Sequence, residues 1–140
     1  MQKRFYLDTC IWRDLLEDRK SGFSFLGENA FQFLRKCREF NCSVLCSDLV
    51  LDELGAYFTE EEVSSLLEPF LDLIEFIDYT KEETFEVPLI LNKFKEIHFA
   101  DVLHAIVARD NNAILVTRDK HFELLSGIVI SLKPEEVRFD

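Results

Sequence analysis

Ala113-Ile114-Leu115-Val116-Thr117-Arg118-Asp119 is a short apolar run that ends on a carboxylate, and Phe5-Tyr6-Leu7-Asp8 repeats the pattern near the N-terminus. Short apolar runs with no helical spacing read as strands of a sheet covered on both faces. Working outward, Ser43-Val44-Leu45-Cys46, Ile74 to Tyr79 and Ile128 to Leu132 are three more such runs. Longer helical patterns separate all five. Strands alternating with helices predict an α/β fold, with a central parallel sheet of five strands and helices on both faces.

The helical stretches have their own punctuation. Asp14 to Arg19 continues a polar-faced helix that Ser21-Gly22 should break. Glu28 to Phe40 places Phe31, Leu34 and Cys37 on one face. Ser47 suits the N-cap of a helix running to about Phe58. Thr59 caps Glu60 to Leu71, where three glutamates in the first turn complement the helix dipole. Thr80 to Ile97 reads as helical, kinked or split at Pro88. A helix from about Phe99 to Asp110 precedes the turn Asn111-Asn112, and a short helix follows Asp119.

The bulk numbers set limits. A chain of 140 residues, 48% hydrophobic and 31% charged with 4 Gly and 3 Pro, is expected to be one globular domain over residues 1–140. The 14 Phe are expected to fill the core. No apolar run approaches the roughly 18 residues of a membrane span, and no signal-peptide core follows Met1, so a cytoplasmic protein is expected. Cys10, Cys37, Cys42 and Cys46 match no CxxC pattern and read as small buried thiols. A net charge of −11 weighs against tight, sequence-blind binding to phosphates. It does not exclude transient cleavage, and it suits a basic partner.

Against that background four carboxylates stand out: Asp8, Glu53, Asp101 and Asp119. Asp8 and Asp119 follow strands, and open parallel sheets bind ligands beyond the carboxyl ends of their strands. Each would also serve as a helix N-cap, although Thr9 could cap the next helix without Asp8. Glu53 has Leu49, Val50 and Tyr57 on its side of the helix, whereas Asp52 lines up with Asp48 and reads as solvated. Asp101 lies near a helix start with small residues, Ala105 and Ala108, beyond it. Buried unpaired carboxylates cost several kcal/mol, so four in a small domain point to a shared cation. Crowding without that cation should raise at least one of their pKa values. His104 shares a face with Asp101 but is expected to be packed or solvent-facing. No Gly-rich phosphate loop and no Ser-His-Asp arrangement is present. Asp8-Thr9-Cys10 lacks the Asp-x-Asp of haloacid-dehalogenase-like phosphatases.

Four segments together resemble the PIN domain superfamily, and within it the VapC-like toxin ribonucleases. They are Phe5-Tyr6-Leu7-Asp8-Thr9; Ser47 to Leu54, with Glu53 before Leu54; Ala100 to Ala108, with Asp101; and Leu115 to Phe122, with Thr117-Arg118-Asp119. The resemblance spans nearly the whole chain. It implies a sheet of order 3-2-1-4-5, which sets Asp8 beside Asp119, and an acidic quartet of Asp8, Glu53, Asp101 and Asp119 supported by Thr117. It also implies a Mg²⁺ or Mn²⁺ cofactor, hydrolysis of RNA phosphodiester bonds, a homodimer and a small antitoxin partner. Glu53 is left either as a ligand or as the base that orients the attacking water. A housekeeping RNA-processing nuclease and a non-catalytic PIN-like binding or assembly module remain the alternatives.

Overall fold

The computed structural model describes residues 2–140. Strands β1 (Arg4–Leu7), β2 (Ser43–Ser47), β3 (Ile74–Ile77), β4 (Ile114–Val116) and β5 (Ser131–Leu132) pair in parallel in the order β3-β2-β1-β4-β5. Among the described residues six α-helices join them: α1 (Thr9–Glu17), α2 (Leu26–Glu39), α3 (Asp48–Gly55), α4 (Glu60–Leu67), α5 (Lys81–Leu91) and α6 (Phe99–Asp110). The order 3-2-1-4-5 and the single α/β architecture are therefore as expected.

β1 is the middle strand, and Phe5, Tyr6 and Leu7 are wholly buried. Successive side chains on a strand point to opposite faces. Phe5 meets the Phe33 ring of α2 edge-on at 5.2 Å, while Tyr6 meets the His104 ring of α6 at 5.5 Å. Hence α2 and α6 cover opposite faces of the sheet. α1 packs on α2, and α5 on α6. From Val102 to Ala108 α6 is buried throughout, and Ala105 and Ala108 allow its close approach.

Several boundaries differ from expectation for local reasons. α1 stops at Glu17 because Asp18 turns left-handed (φ 47°). Ser21-Gly22 does not break a helix. It belongs to a two-stranded antiparallel hairpin, Lys20–Ser21 with Ser24–Phe25, and Gly22 (φ 60°) supplies the turn. On α2 the buried stripe is Ala30, Phe33, Leu34 and Cys37, while Phe31 is 44% exposed. α3 ends at Gly55, short of Phe58. α4 ends at Leu67, and a 3₁₀ turn, Glu68–Phe70, follows, where Pro69 has no N–H to continue the α-helical ladder. α5 runs through Pro88 and ends at Leu91 without splitting. The Phe expectation also fails in part: seven of them, among them Phe23, Phe76 and Phe85, are more than a third exposed. No helix among the described residues is long and apolar enough to cross a membrane.

Candidate metal centre

The carboxyl ends of β1 and β4 lie side by side, the place where strand order reverses. Asp8 continues the ladder after β1, its N–H donating to Val116 O at 3.0 Å. Asp8 is itself the N-cap of α1, the role open to either strand-end acid, and Thr9 is the first helical residue. Its Oδ1 accepts from Thr9 N at 2.8 Å. Asp8 Oδ2 accepts from Thr117 Oγ1 at 2.8 Å and from Cys10 Sγ at 3.4 Å. Thr117 Oγ1 in turn accepts from Asp119 N at 3.0 Å, so one hydroxyl ties the two strand-end acids together. Asp119 also caps the 3₁₀ turn after it, its Oδ1 accepting from His121 N at 2.9 Å.

Glu53 reaches the same place from α3. Ser47 caps that helix, its Oγ accepting from Val50 N at 3.2 Å, which orients the first turn over the sheet end. Glu53 is half-buried and Asp52 exposed, as their neighbours predicted. Glu53 Oε1 accepts from Thr9 Oγ1 at 2.6 Å and lies 2.7 Å from His104 Nε2. Burial pushes this carboxyl up, but the hydrogen bonds from His104 and Thr9 bring the net direction below its ordinary value.

Asp8, Glu53 and Asp119 line one cleft with Thr9, Cys10, Arg13, Ala56 and Tyr57. Asp101 stands one turn before His104 on α6, and its Oδ2 accepts from His98 N at 3.4 Å. Burial holds its carboxyl above the ordinary value, the His98 amide opposes this, and the charges of Asp119 and Asp8 add to the rise. The expected crowding is therefore present at Asp101, with desolvation its larger cause. Among the described residues none of the four acids pairs with arginine or lysine.

His104 corrects the sequence reading. It is packed as expected, 1% exposed, yet its Nε2 faces Glu53 and lies 3.9 Å from Asp8 Oδ1. The tightest group of possible ligand atoms is Asp8, Glu53 and His104, all within 4.8 Å of one another; Asp101 and Asp119 lie outside it. On an apolar helix face a histidine looks like core. The one signal in the sequence was its i, i+3 spacing from Asp101. Arg13 and Tyr57 were also missed as cleft residues. The Arg13 guanidinium stacks on the Tyr57 ring, 3.6 Å from its centroid, and its buried Nε has no partner among the described residues.

The donor set suits a hard divalent cation. Mg²⁺ and Mn²⁺ take carboxylate oxygen and keep several waters, and here carboxylates with histidine neighbours but no arginine or lysine partner converge where Asp101 registers the charge of two others. Cys10 offers no competing soft ligand, since burial and then Asp8 push its thiol up to about 12.

The PIN domain family model matches residues 5–128, and the chain belongs to that family. It is similar to a chain of VapBC2 from Rickettsia felis, crystallised with a DNA fragment from their promoter (25% identity, TM-score 0.71, covering 93% of this chain and 98% of that one). It has the fold of a chain from a Klebsiella pneumoniae toxin–antitoxin complex (17% identity, TM-score 0.67, 95% and 99% covered). FitAcB from Neisseria gonorrhoeae also contains that fold (17%, TM-score 0.64, 95% and 99%). No curated protein matches significantly.

Proposed function

We propose that this protein is a Mg²⁺- or Mn²⁺-dependent endoribonuclease, acting in the cytoplasm as the toxin of a toxin–antitoxin pair. One observation carries the reading: Asp8, Glu53 and Asp119, from three separate stretches of chain, line one cleft at the carboxyl ends of β1 and β4. Family membership and the likeness to the Rickettsia felis VapBC2 chain support it.

Asp8 and Asp119 would hold the cation and Asp101 would share it, with Glu53 as a further ligand or as the base for the attacking water. When bound, the cation supplies Lewis acidity at the scissile phosphate and lowers the pKa of the water that attacks it. Thr117 fixes the Asp8 carboxylate relative to the Asp119 backbone through its single hydroxyl. Thr9 does the same for Asp8 and Glu53, donating its amide to one and its hydroxyl to the other. Arg13 brings a positive charge to an otherwise acidic wall, and the exposed Tyr57 ring beside it offers a face on which an unpaired base can stack. Attack by water does not use the RNA 2′-hydroxyl, so products carry a 5′-phosphate and a 3′-hydroxyl.

A small antitoxin with a basic segment suits the acidic cleft. Exposed Phe85 and Leu89 on α5 offer apolar surface for it or for the second protomer of a homodimer. A housekeeping nuclease would share the chemistry and differ only in failing to arrest growth when induced.

The test is cleavage of single-stranded RNA by wild type and Asp119→Asn, with Mg²⁺ or with a chelator. Cleavage is expected only for wild type with metal. Products ending in 2′,3′-cyclic phosphate, or cleavage that survives the chelator, would reject the reading.

A further inference from the structure

A buried chain of hydrogen bonds runs beneath the cleft. Tyr6 Oη lies 2.6 Å from Ser47 Oγ on one side and 2.6 Å from His104 Nδ1 on the other. Across the ring, His104 Nε2 lies 2.7 Å from Glu53 Oε1. Ser47 is wholly buried, as is Tyr6, and His104 is 1% exposed, so no bulk water competes for the two links that Tyr6 makes. Each element contributes one group: β1 gives Tyr6, the end of β2 gives Ser47, α6 gives His104 and α3 gives Glu53.

The hydrogen accounting has one fixed end. A carboxylate only accepts, so the link to Glu53 requires a hydrogen on His104 Nε2. At the other end Ser47 Oγ already accepts from Val50 N. If Ser47 donates to Tyr6 and Tyr6 to Nδ1, every hydroxyl hydrogen has an acceptor and the ring is neutral. The reverse direction buries a charged ring, leaves the Ser47 hydrogen without an acceptor among the described residues, and gains only the attraction of the carboxylates of Glu53, Asp8 and Asp101. In both directions Nε2–H donates to Glu53.

Glu53 Oε1 therefore receives two donors, Nε2–H and the Thr9 hydroxyl at 2.6 Å. Glu53 Oε2 has no partner among the described residues. We propose that His104 is a positioning residue: anchored through Tyr6 and Ser47, it occupies Glu53 Oε1 and leaves Oε2 as the one Glu53 oxygen presented to a divalent cation or the attacking water. His104 thus acts through Glu53 and is not itself a ligand, although its nitrogen lies within ligand range. This rests on the metal-nuclease reading above.

The test uses the full chain, uniformly ¹⁵N-labelled, with Mg²⁺ as the titrant, followed by NMR. The His104 Nε2–H resonance is expected in the metal-free protein and should persist, shifted, once Mg²⁺ is bound. Its loss on Mg²⁺ addition, with RNA cleavage intact, would make the imidazole a ligand and overturn this proposal alone. If no amide near Asp8 or Glu53 responds to Mg²⁺, the nuclease reading falls and takes this one with it. His104→Leu should weaken Mg²⁺ binding by roughly 10–100-fold, the usual cost of removing a group that orients a ligand. His104→Gln, whose amide nitrogen can replace Nε2 as donor, should recover most of that loss. Wild-type affinity in His104→Leu, or equal loss in both variants, would contradict the positioning role. Thermal melts establish which variants fold, and the wild-type spectrum decides the question even if His104→Leu does not.

Discussion

Asp101 is where the electrostatics of the site can be read without substrate. Burial, helped by Asp119 and Asp8, raises its carboxyl above the ordinary 3.8. A carboxyl that binds its proton more tightly folded than unfolded costs nothing below the unfolded value and penalises the fold as pH rises through the window above it. Asp101→Asn, which keeps an oxygen for the His98 amide, should therefore raise the melting temperature of metal-free protein at neutral pH. The gain should vanish in acid, where both states are protonated; an equal gain at both ends would show a packing effect instead. Asp8→Asn keeps an acceptor for Thr9 N and should fold with little change in stability. Its cleavage rate should drop by roughly 10²–10³-fold, the scale of one preorganised charge-stabilising group. Arg13→Ala should raise KM more than it lowers kcat, because Arg13 lines the cleft without touching any of the acids. That Asp8, Glu53 and Asp119 line one cleft was legible because strand ends and an acid on an apolar stripe are local patterns. His104 was not, since its partners Tyr6 and Glu53 lie 98 and 51 residues away and only the fold joins them.

Elements were legible where their signals were local and long. β1 and β4 announced themselves as apolar runs, Ser47 and Thr59 as caps, and α6 matched its expected span from Phe99 to Asp110. Two-residue strands have no period to detect, so the hairpin at residues 20–25 was missed. The α1–α2 junction was invisible for a related reason, because its constraint is a contact rather than a pattern. A Cβ on Gly27 would lie 2.7 Å from Asp18 Cα and 2.8 Å from Asp14 O, both backbone atoms that cannot swing away. Gly27→Ala should therefore cost about 1–3 kcal/mol in urea unfolding, as overpacking does. Thr80→Ala removes a capping box on α5, where Thr80 Oγ1 accepts from Glu83 N at 3.1 Å and Glu83 Oε1 from Thr80 N at 2.8 Å. It should cost about 1 kcal/mol and leave cleavage unchanged, since α5 carries none of the four acids.

Over the whole molecule, a net charge of −11 opposes the approach of another polyanion. RNA affinity should accordingly come from a few contacts at the cleft, and its dependence on salt should be shallow compared with a basic RNA-binding protein. The same charge favours a basic antitoxin, which ought to bind more tightly at low salt and compete with RNA. Sheet order was legible only through the family resemblance, because strand runs alone do not specify neighbours. The exposure of Phe23, Phe76 and Phe85 was not legible at all, since composition counts rings without saying which of them face outward. All of this depends on carboxylates gathered from distant segments sharing one divalent cation. Anomalous scattering from crystals soaked in Mn²⁺ tests that most directly. A peak is predicted beside Asp8 and Asp119, on the side that Glu53 and Asp101 face, and it should be absent from Asp8→Asn crystals. Featureless density there, with Asp8 and Glu53 still held only by Thr9, Thr117 and His104, would contradict the account.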